Sequence, residues 1–392
     1  MTGPLPTRAE RRVVRSLRHD VDQQPFIVIW EVTRACDLVC QHCRADAVRD
    51  RHPMELTTAE GRALLDDIAR FGPPHPLVVL TGGDPFARAD LPDLVAHGTA
   101  CGLSMALSPS VTPRLDRAVL TELRAAGAKS VSLSLDGHDA AVHDGFRGVD
   151  GVFDATLEAA ALVRELGFRL QINTTVTTST LPGLPQVLGR VLDLDAFLWS
   201  VFFLVGTGRG EHLQGLDPAA TEDVLHWLAD VAHHIAVKAT EAPHFRRVVL
   251  QRQQAGEADP LTRFGLGDTY RRLRAGLDDL APERTLPDRV PRPPIDVNAG
   301  RGFVFVDHIG AVYPSGFLPL PAGSVRSRSL VDVYRDAPLM RSLRRPDGFG
   351  GRCGVCEFRT VCGGSRSRAY AAGGDPLAED ASCNYVPASM RS

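Results

Sequence analysis

The sequence predicts an α/β fold, and three observations carry that expectation. Six apolar segments, near residues 26–32, 77–81, 103–108, 130–135, 169–176 and 198–204, have the length and side-chain character of buried strands. Helical stretches at about 58–71, 90–101, 113–126, 152–167, 183–194 and 218–234 alternate with them. The chain of 392 residues is long enough for one large α/β barrel with an appended module, or for two or three ordinary domains. Such alternation predicts parallel βα units, which in barrels carry their chemistry at the C-terminal ends of the strands.

Composition narrows the function classes. Hydrophobic residues at 44% and charged residues at 23% describe a globular chain with a large core, not a disordered or fibrous one. A net charge of -3 advertises neither nucleic acid nor an anionic membrane surface as a partner. No apolar run approaches the roughly 20 residues of a membrane-spanning helix. Residues 1–24 form an N-terminal extension without a secretory apolar segment, so a cytoplasmic location is expected. Lysine occurs only at Lys129 and Lys238, with arginine supplying the remaining positive charge, and this reads as a compositional habit of the source.

Taken in order, the strands are followed by informative residues. After the first comes Cys36-x3-Cys40-x2-Cys43, and after the second the turn Thr81-Gly82-Gly83-Asp84-Pro85. The fourth, Ser130 to Leu135, alternates with period two and leads into Asp136-Gly137, then His143 to Gly148 with Arg147. The fifth ends at Asn173 to Val176, and the sixth runs into Val205-Gly206-Thr207-Gly208-Arg209-Gly210.

Seven of the eight cysteines fall into two tight groups near the two ends of the chain. Disulfides fit that distribution poorly, whereas metal or redox chemistry fits it well. Three thiolates on one loop can hold three corners of an iron-sulfur cube and leave the fourth iron open to another ligand. A zinc site completed by His42 or His52 is the alternative. The second group, Cys353, Cys356, Cys362 and Cys383, supplies the four thiolates that a closed cluster requires, with structural zinc as the alternative. Cys101 reads as a core thiol.

Cys36-x3-Cys40-x2-Cys43 after a first strand resembles the signature of the radical S-adenosylmethionine (SAM) superfamily. The resemblance implies a partial (βα)6 TIM-type barrel over residues 25–240 and one SAM-binding 4Fe-4S cluster on Cys36, Cys40 and Cys43. It implies SAM contacts from Gly82, Gly83 and Asp84 to the methionine amino group, and from Ser134 and Asp136 to the ribose. Arg147 is a candidate for the SAM carboxylate, because a guanidinium grips a carboxylate bidentately. Asn173, Val205 and Gly206 complete the cofactor-binding set, the last two near adenine.

A Pro-rich piece, Pro287 to Pro294, marks residues 241–300 as a bridging segment. Residues 301–392 begin with a hairpin, Phe303 to Tyr313, and a helix, Leu330 to Arg344, before the second cysteine group. This small α+β iron-sulfur module resembles the SPASM auxiliary-cluster domain. Ser315 stands where a cysteine is often found, so one auxiliary 4Fe-4S cluster is expected instead of two.

The C-terminal region resembles that of the haem-maturation radical SAM enzymes. That resemblance implies reductive cleavage of SAM to a 5'-deoxyadenosyl radical, hydrogen abstraction, and oxidative modification of a tetrapyrrole or other small metabolite, with the auxiliary cluster accepting an electron. A flavodoxin or ferredoxin-type protein would supply reductant. Substrate-site candidates are Glu241, His244, Asp307, His308, Arg366 and Arg368. The alternatives are maturation of a ribosomally made peptide, a sugar dehydrogenase or epimerase, and a non-enzymatic iron-sulfur electron carrier.

Overall fold

The structure, a computed structural model, describes residues 20–391 except 281 and 283; residues 1–19 of the expected N-terminal extension lie outside this set. The six expected strands are present as β1 (Ile27–Glu31), β2 (Leu77–Thr81), β3 (Ser104–Leu107), β4 (Ser130–Ser134), β5 (Arg169–Val176) and β6 (Leu198–Phe203). They are followed by β7 (Val237–Thr240), β8 (Phe303–Val306), β9 (Ala311–Tyr313) and β10 (Gly323–Ser324). All ten belong to one sheet, in the order β10-β9-β8-β1-β2-β3-β4-β5-β6-β7. The run from β8 through β7 is parallel throughout, and its outermost strands do not pair with each other. The barrel is therefore open, a partial TIM-type arrangement within a mixed α/β fold.

The connecting helices are α1 (Thr58–Ala69), α2 (Leu91–Ala100), α3 (Arg117–Ala125), α4 (Ala140–Arg147), α5 (Val152–Glu165), α6 (Leu184–Asp193) and α7 (Pro218–Val231). Their starts follow local chemistry. Thr57 and Glu60 form a reciprocal capping box at α1, and the Asp116, Asp139 and Asp217 carboxylates cap α3, α4 and α7. Residues 113–114 form a turn, and α3 begins only after the Asp116 cap, later than residue 113.

Alternation along each strand separates two faces. Val28, Trp30, Leu133, Ile172, Trp199 and Val201 point outward and form the fully buried core against the helices. The opposite face carries Ser132, Ser134, Gln171, Asn173, Phe202, Lys238 and Thr240, which keep accessible surface along an open lumen. Trp199 anchors this division: its indole N–H donates to the Thr174 hydroxyl at 2.9 Å, and its ring meets Trp227 edge-on.

Beyond β7 the chain forms α8 (His244–Ala255), α9 (Pro260–Phe264) and α10 (Asp268–Asp278), so half of the segment expected to bridge is helical. The hairpin expected at the start of the C-terminal module is β8 and β9, and β8 also lies parallel against β1, from Ile27 beside Phe303 to Trp30 beside Val306. The single helix expected from Leu330 to Arg344 is two, α11 (Leu330–Asp336) and α12 (Pro338–Leu343). Pro338 forbids helical backbone at the preceding Ala337, which is extended with φ -59° and ψ 130°. The chain ends with α13 (Gly351–Val355) and α14 (Arg366–Gly373).

Candidate cluster and substrate site

The first thiol loop leaves β1 at the C-terminal edge of the sheet. It is tied by Cys36 N–H to Val48 C=O at 2.8 Å, and by the Gln41 backbone and side-chain amides to Phe146 and Gly145 at the end of α4. Cys36 and Cys40 are buried and Cys43 partly so. Each sulfur has a donor at hand: Leu38 N–H at Cys36, Arg147 at Cys40, and Ala47 N–H at Cys43, all between 3.4 and 3.6 Å, while the Ser110 hydroxyl, which donates to Gly83 C=O, lies 3.4 Å from the Cys36 sulfur. Burial raises the Cys36 pKa, with the Ser110 and Leu38 contacts opposing, so a bound cation would be needed to hold that sulfur as thiolate. His42 stacks on Phe146 at 4.5 Å, and burial lowers its pKa to about 4, so it is neutral at ordinary pH.

Gly82 and Gly83 let two backbones touch. A Cβ on Gly82 would sit 2.4 Å from the Thr33 carbonyl oxygen, and one on Gly83 would sit 2.5 Å from that of Ala35 and 2.6 Å from that of Arg34. The close approach is therefore between this turn and the thiol loop itself. Asp84 is buried, accepts from the Thr112 hydroxyl at 2.7 Å, and caps the short turn through Phe86 N–H. Burial raises its pKa, with the Thr112 bond opposing. On the other side Gly208, at φ +54°, clears the Cys43 and Arg44 carbonyls, and Arg209 Nε donates to Cys40 C=O at 2.9 Å. Val205 is buried and Gly206 exposed above the loop.

Asp136 and Arg147, expected to face ribose and carboxylate, are brought together. The Arg147 guanidinium donates to one Asp136 oxygen, and the other accepts Thr175 N–H at 2.6 Å. Both are buried. Burial opposes the Asp136 charge, but Arg147 outweighs it and its pKa falls. Arg147 thereby joins the thiol loop to β4. Ser134 and Asn173 stand side by side in register on β4 and β5, facing the lumen.

The second cysteine group converges. Cys353, Cys356, Cys362 and Cys383 all line one pocket, together with His244, Arg247, Arg352 and Arg359. Backbone N–H groups of Asp380, Phe358 and Gly364 point at Cys353, Cys356 and Cys362 at 3.4 to 3.5 Å. Burial raises the pKa of Cys353, Cys356 and Cys362, the last to about 12, whereas at Cys383 His244 and Arg247 overcome burial and bring it down to about 7. Four thiols, amide donors and surrounding cations suit an anionic sulfur-ligated group.

The remaining candidates divide. His244 and Arg368 both meet the buried Asp380 at 3.3 Å, whose carboxyl lies well below the usual range because those cations overcome its burial. Arg366 is fully buried, donating to the Pro376 and Ala378 carbonyls and lying 3.5 Å from the Cys353 sulfur. Asp307 closes the β8–β9 turn through Ala311 N–H, and burial raises its pKa. His308 Nδ1–H donates to one Glu31 oxygen at 2.9 Å, and Arg44 donates to the other at 2.7 Å. Glu241, in left-handed backbone at φ +56°, accepts from Ser315 and Ser365.

Two lumen residues and one loop anchor escape sequence reasoning. Lys238 and Ser200 share a register row with Asn173, and Arg209 anchors the thiol loop. The rarity of lysine was the available signal for Lys238; Arg209 had none beyond its glycine neighbours.

Residues 30–190 match the sequence profile of the Radical SAM superfamily. Over 367 residues the chain is 36% identical to an AdoMet-dependent heme synthase of Oleidesulfovibrio alaskensis, covering 92% of this chain and 87% of that protein. The chain belongs to the radical SAM superfamily. This radical SAM chain is also 29% identical over 378 residues to an Fe-coproporphyrin III synthase of Methanosarcina barkeri, covering 94% of this chain and 89% of that one. Its fold matches Streptococcus suis SuiB, crystallised with the precursor peptide SuiA, at a TM-score of 0.67 and 16% identity, over 93% of this chain and 76% of that one. As a radical SAM protein it is an enzyme whose family implies a 4Fe-4S cluster and SAM. The buried, donor-lined trio Cys36, Cys40 and Cys43 fits such a cluster. Among the described residues no helix is long and apolar enough to cross a membrane.

Proposed function

We propose that this enzyme oxidatively modifies the carboxylate-bearing side chains of a tetrapyrrole, with the propionates of an iron coproporphyrin as the substrate class. The observation that carries the reading is the 36% identity to a haem synthase along nearly the whole chain. The open lumen supports it: Phe202 and Phe317, both keeping accessible surface, lie tilted against each other at 6.3 Å and give an apolar contact for a macrocycle, with the Arg44 guanidinium nearby over the buried Phe305.

Cys36, Cys40 and Cys43 would hold the SAM-binding cluster, and Cys353, Cys356, Cys362 and Cys383 an auxiliary 4Fe-4S cluster. With SAM, a cluster on the first trio would supply a carbon radical able to abstract hydrogen, and one on the second group would supply an acceptor for the electron released when a propionate loses a hydrogen atom and CO2 and becomes a vinyl group. The protein's own part is positional. Arg147, Arg209 and the Gly82-Gly83 turn fix the thiol loop, while Ser134, Asn173, Val205 and Gly206 border the space for SAM. Gly82, Gly83 and Asp84 would present carbonyls and charge to its ammonium group. Arg366, Arg368 and His244 offset the charge of the auxiliary site.

In this reading residues 25–240 form the SAM barrel, 241–300 a bridge and 301–392 the auxiliary module, even though the sheet runs through both outer parts. A flavodoxin or ferredoxin-type donor and a cytoplasmic setting complete the proposal. The test is anaerobic incubation of reconstituted enzyme with SAM, reductant and iron coproporphyrin III, followed by mass spectrometry. Loss of a carboxyl group and a hydrogen per propionate is the expected product. SAM cleavage that leaves the macrocycle's mass unchanged would overturn the reading.

A further inference from the structure

Four neighbouring strands carry a continuous polar row on the lumen face. Ser134 on β4 lies in register with Asn173 on β5, Asn173 with Ser200 on β6, and Ser200 with Lys238 on β7. In parallel strands, residues in register share a face, so Lys238 ends a row that begins with the SAM-site candidates. Phe202 and Thr240 form the next level toward the C-terminal edge, about 7 Å above. The Thr240 hydroxyl is 2.9 Å from that of Ser200.

Lys238 lies deep in the protein yet keeps accessible surface, as a residue lining a lumen does. Its ammonium makes no hydrogen bond or ion pair among the described residues. The counter-charge that acts on it, Glu241, is held elsewhere, with its two oxygens on the hydroxyls of Ser315 at 3.0 Å and Ser365 at 2.6 Å. Burial accordingly lowers the lysine's pKa. A desolvated, unpartnered ammonium costs stability, so its presence points to a ligand that completes it.

We propose that Lys238 is an anion subsite that holds one carboxylate of the substrate at the edge of the aromatic surface of Phe202. This rests on the tetrapyrrole reading and adds to it the residue that orients the ring. The bound carboxylate is one that does not react. An ammonium on the reacting carboxylate would stabilise the anion that must be lost as CO2 and so oppose the step. Lys238 is thus a positioning residue, which turns one side chain of the ring into the polar row and leaves another free at the cofactor.

The test compares Lys238→Met, Lys238→Arg and the exposed Lys129→Met in reconstituted holoenzyme, with iron coproporphyrin III as the probe. Binding is read from the shift of its Soret band. Lys238→Met should weaken the dissociation constant at least about tenfold, Lys238→Arg should restore much of the affinity, and Lys129→Met should leave it unchanged. Iron content and melting temperature report folding, and Lys238→Met should melt no lower than the wild type because an unpaired buried charge has been removed. Wild-type binding with an equal constant in Lys238→Met overturns the subsite alone. Absence of probe binding by the wild type overturns both the subsite and the tetrapyrrole reading.

Discussion

Glu241, at the end of β7, accepts a 2.6 Å hydrogen bond from Ser365, which directly follows Cys362-Gly363-Gly364. The strand that closes one side of the lumen is thereby tied to the four-thiol pocket, and Ser315 adds a second tie at 3.0 Å. Glu241→Ala should cost about 2 kcal/mol in urea unfolding, since two hydroxyls lose a charged acceptor. It should slow substrate turnover more than substrate-free SAM cleavage. Equal slowing of both would mean that the tie does not govern the distance between the two sites.

Removal of individual thiols should separate the two proposed iron sites. Reconstituted wild type should hold about eight iron atoms, and Cys353→Ala about four. Cys40→Ala should abolish 5'-deoxyadenosine formation. Iron analysis and chromatography of the SAM products are the measurements, and persistence of cleavage in Cys40→Ala contradicts the assigned loop.

Arg147→Leu strands the buried Asp136 carboxylate. A loss of about 3–5 kcal/mol is expected from chemical denaturation. The double variant Arg147→Leu with Asp136→Leu should recover much of it without recovering SAM cleavage, because the Cys40 sulfur still lacks its cation.

Gly83→Ala places a methyl 2.5 Å from the Ala35 carbonyl oxygen and 2.6 Å from that of Arg34. The thiol loop must shift by several tenths of an ångström. Iron at the first site and the EPR signal of its SAM complex should fall together, while the four-thiol site keeps its iron.

Arg88 clasps Asp90 at 2.9 and 2.6 Å. Partial burial opposes the Asp90 charge, but Arg88 and Thr58 hold its pKa down to about 2. A folded-state pKa below the unfolded one stabilises fully above the unfolded value and is lost as pH falls through the folded value. The gap between wild type and Asp90→Asn should be about 2 kcal/mol at pH 7 and less than about 1 kcal/mol by pH 2.5. Urea unfolding of the iron-free chain at both pH values checks it.

Local signals served the sequence reading well. Every strand from β1 to β6 lies within a residue or two of its expected range, because alternation and apolar runs are properties of a few adjacent residues. The thiol groups were legible for the same reason. The pairing of β8 with β1 was not, since Phe303 and Ile27 are distant in sequence and nothing local in either strand names the other. The mutual capture of Asp136 and Arg147 was hidden similarly: each residue alone suits a ligand, and only the fold shows that each suits the other. The helices α8 to α10 were masked by the prolines that follow them. Lys238 was visible as a rarity and misread as composition.

The lateral partner of β1 comes from near the far end of the polypeptide. During synthesis the nascent chain exposes the Ile27–Glu31 edge, with its cysteine loop, until the ribosome has delivered Phe303–Val306. An uncovered strand edge invites pairing with the wrong neighbour. Metal insertion into the loop after β1 is therefore best timed after Phe303–Val306 has been made, and a product truncated before that strand should aggregate before it can be loaded.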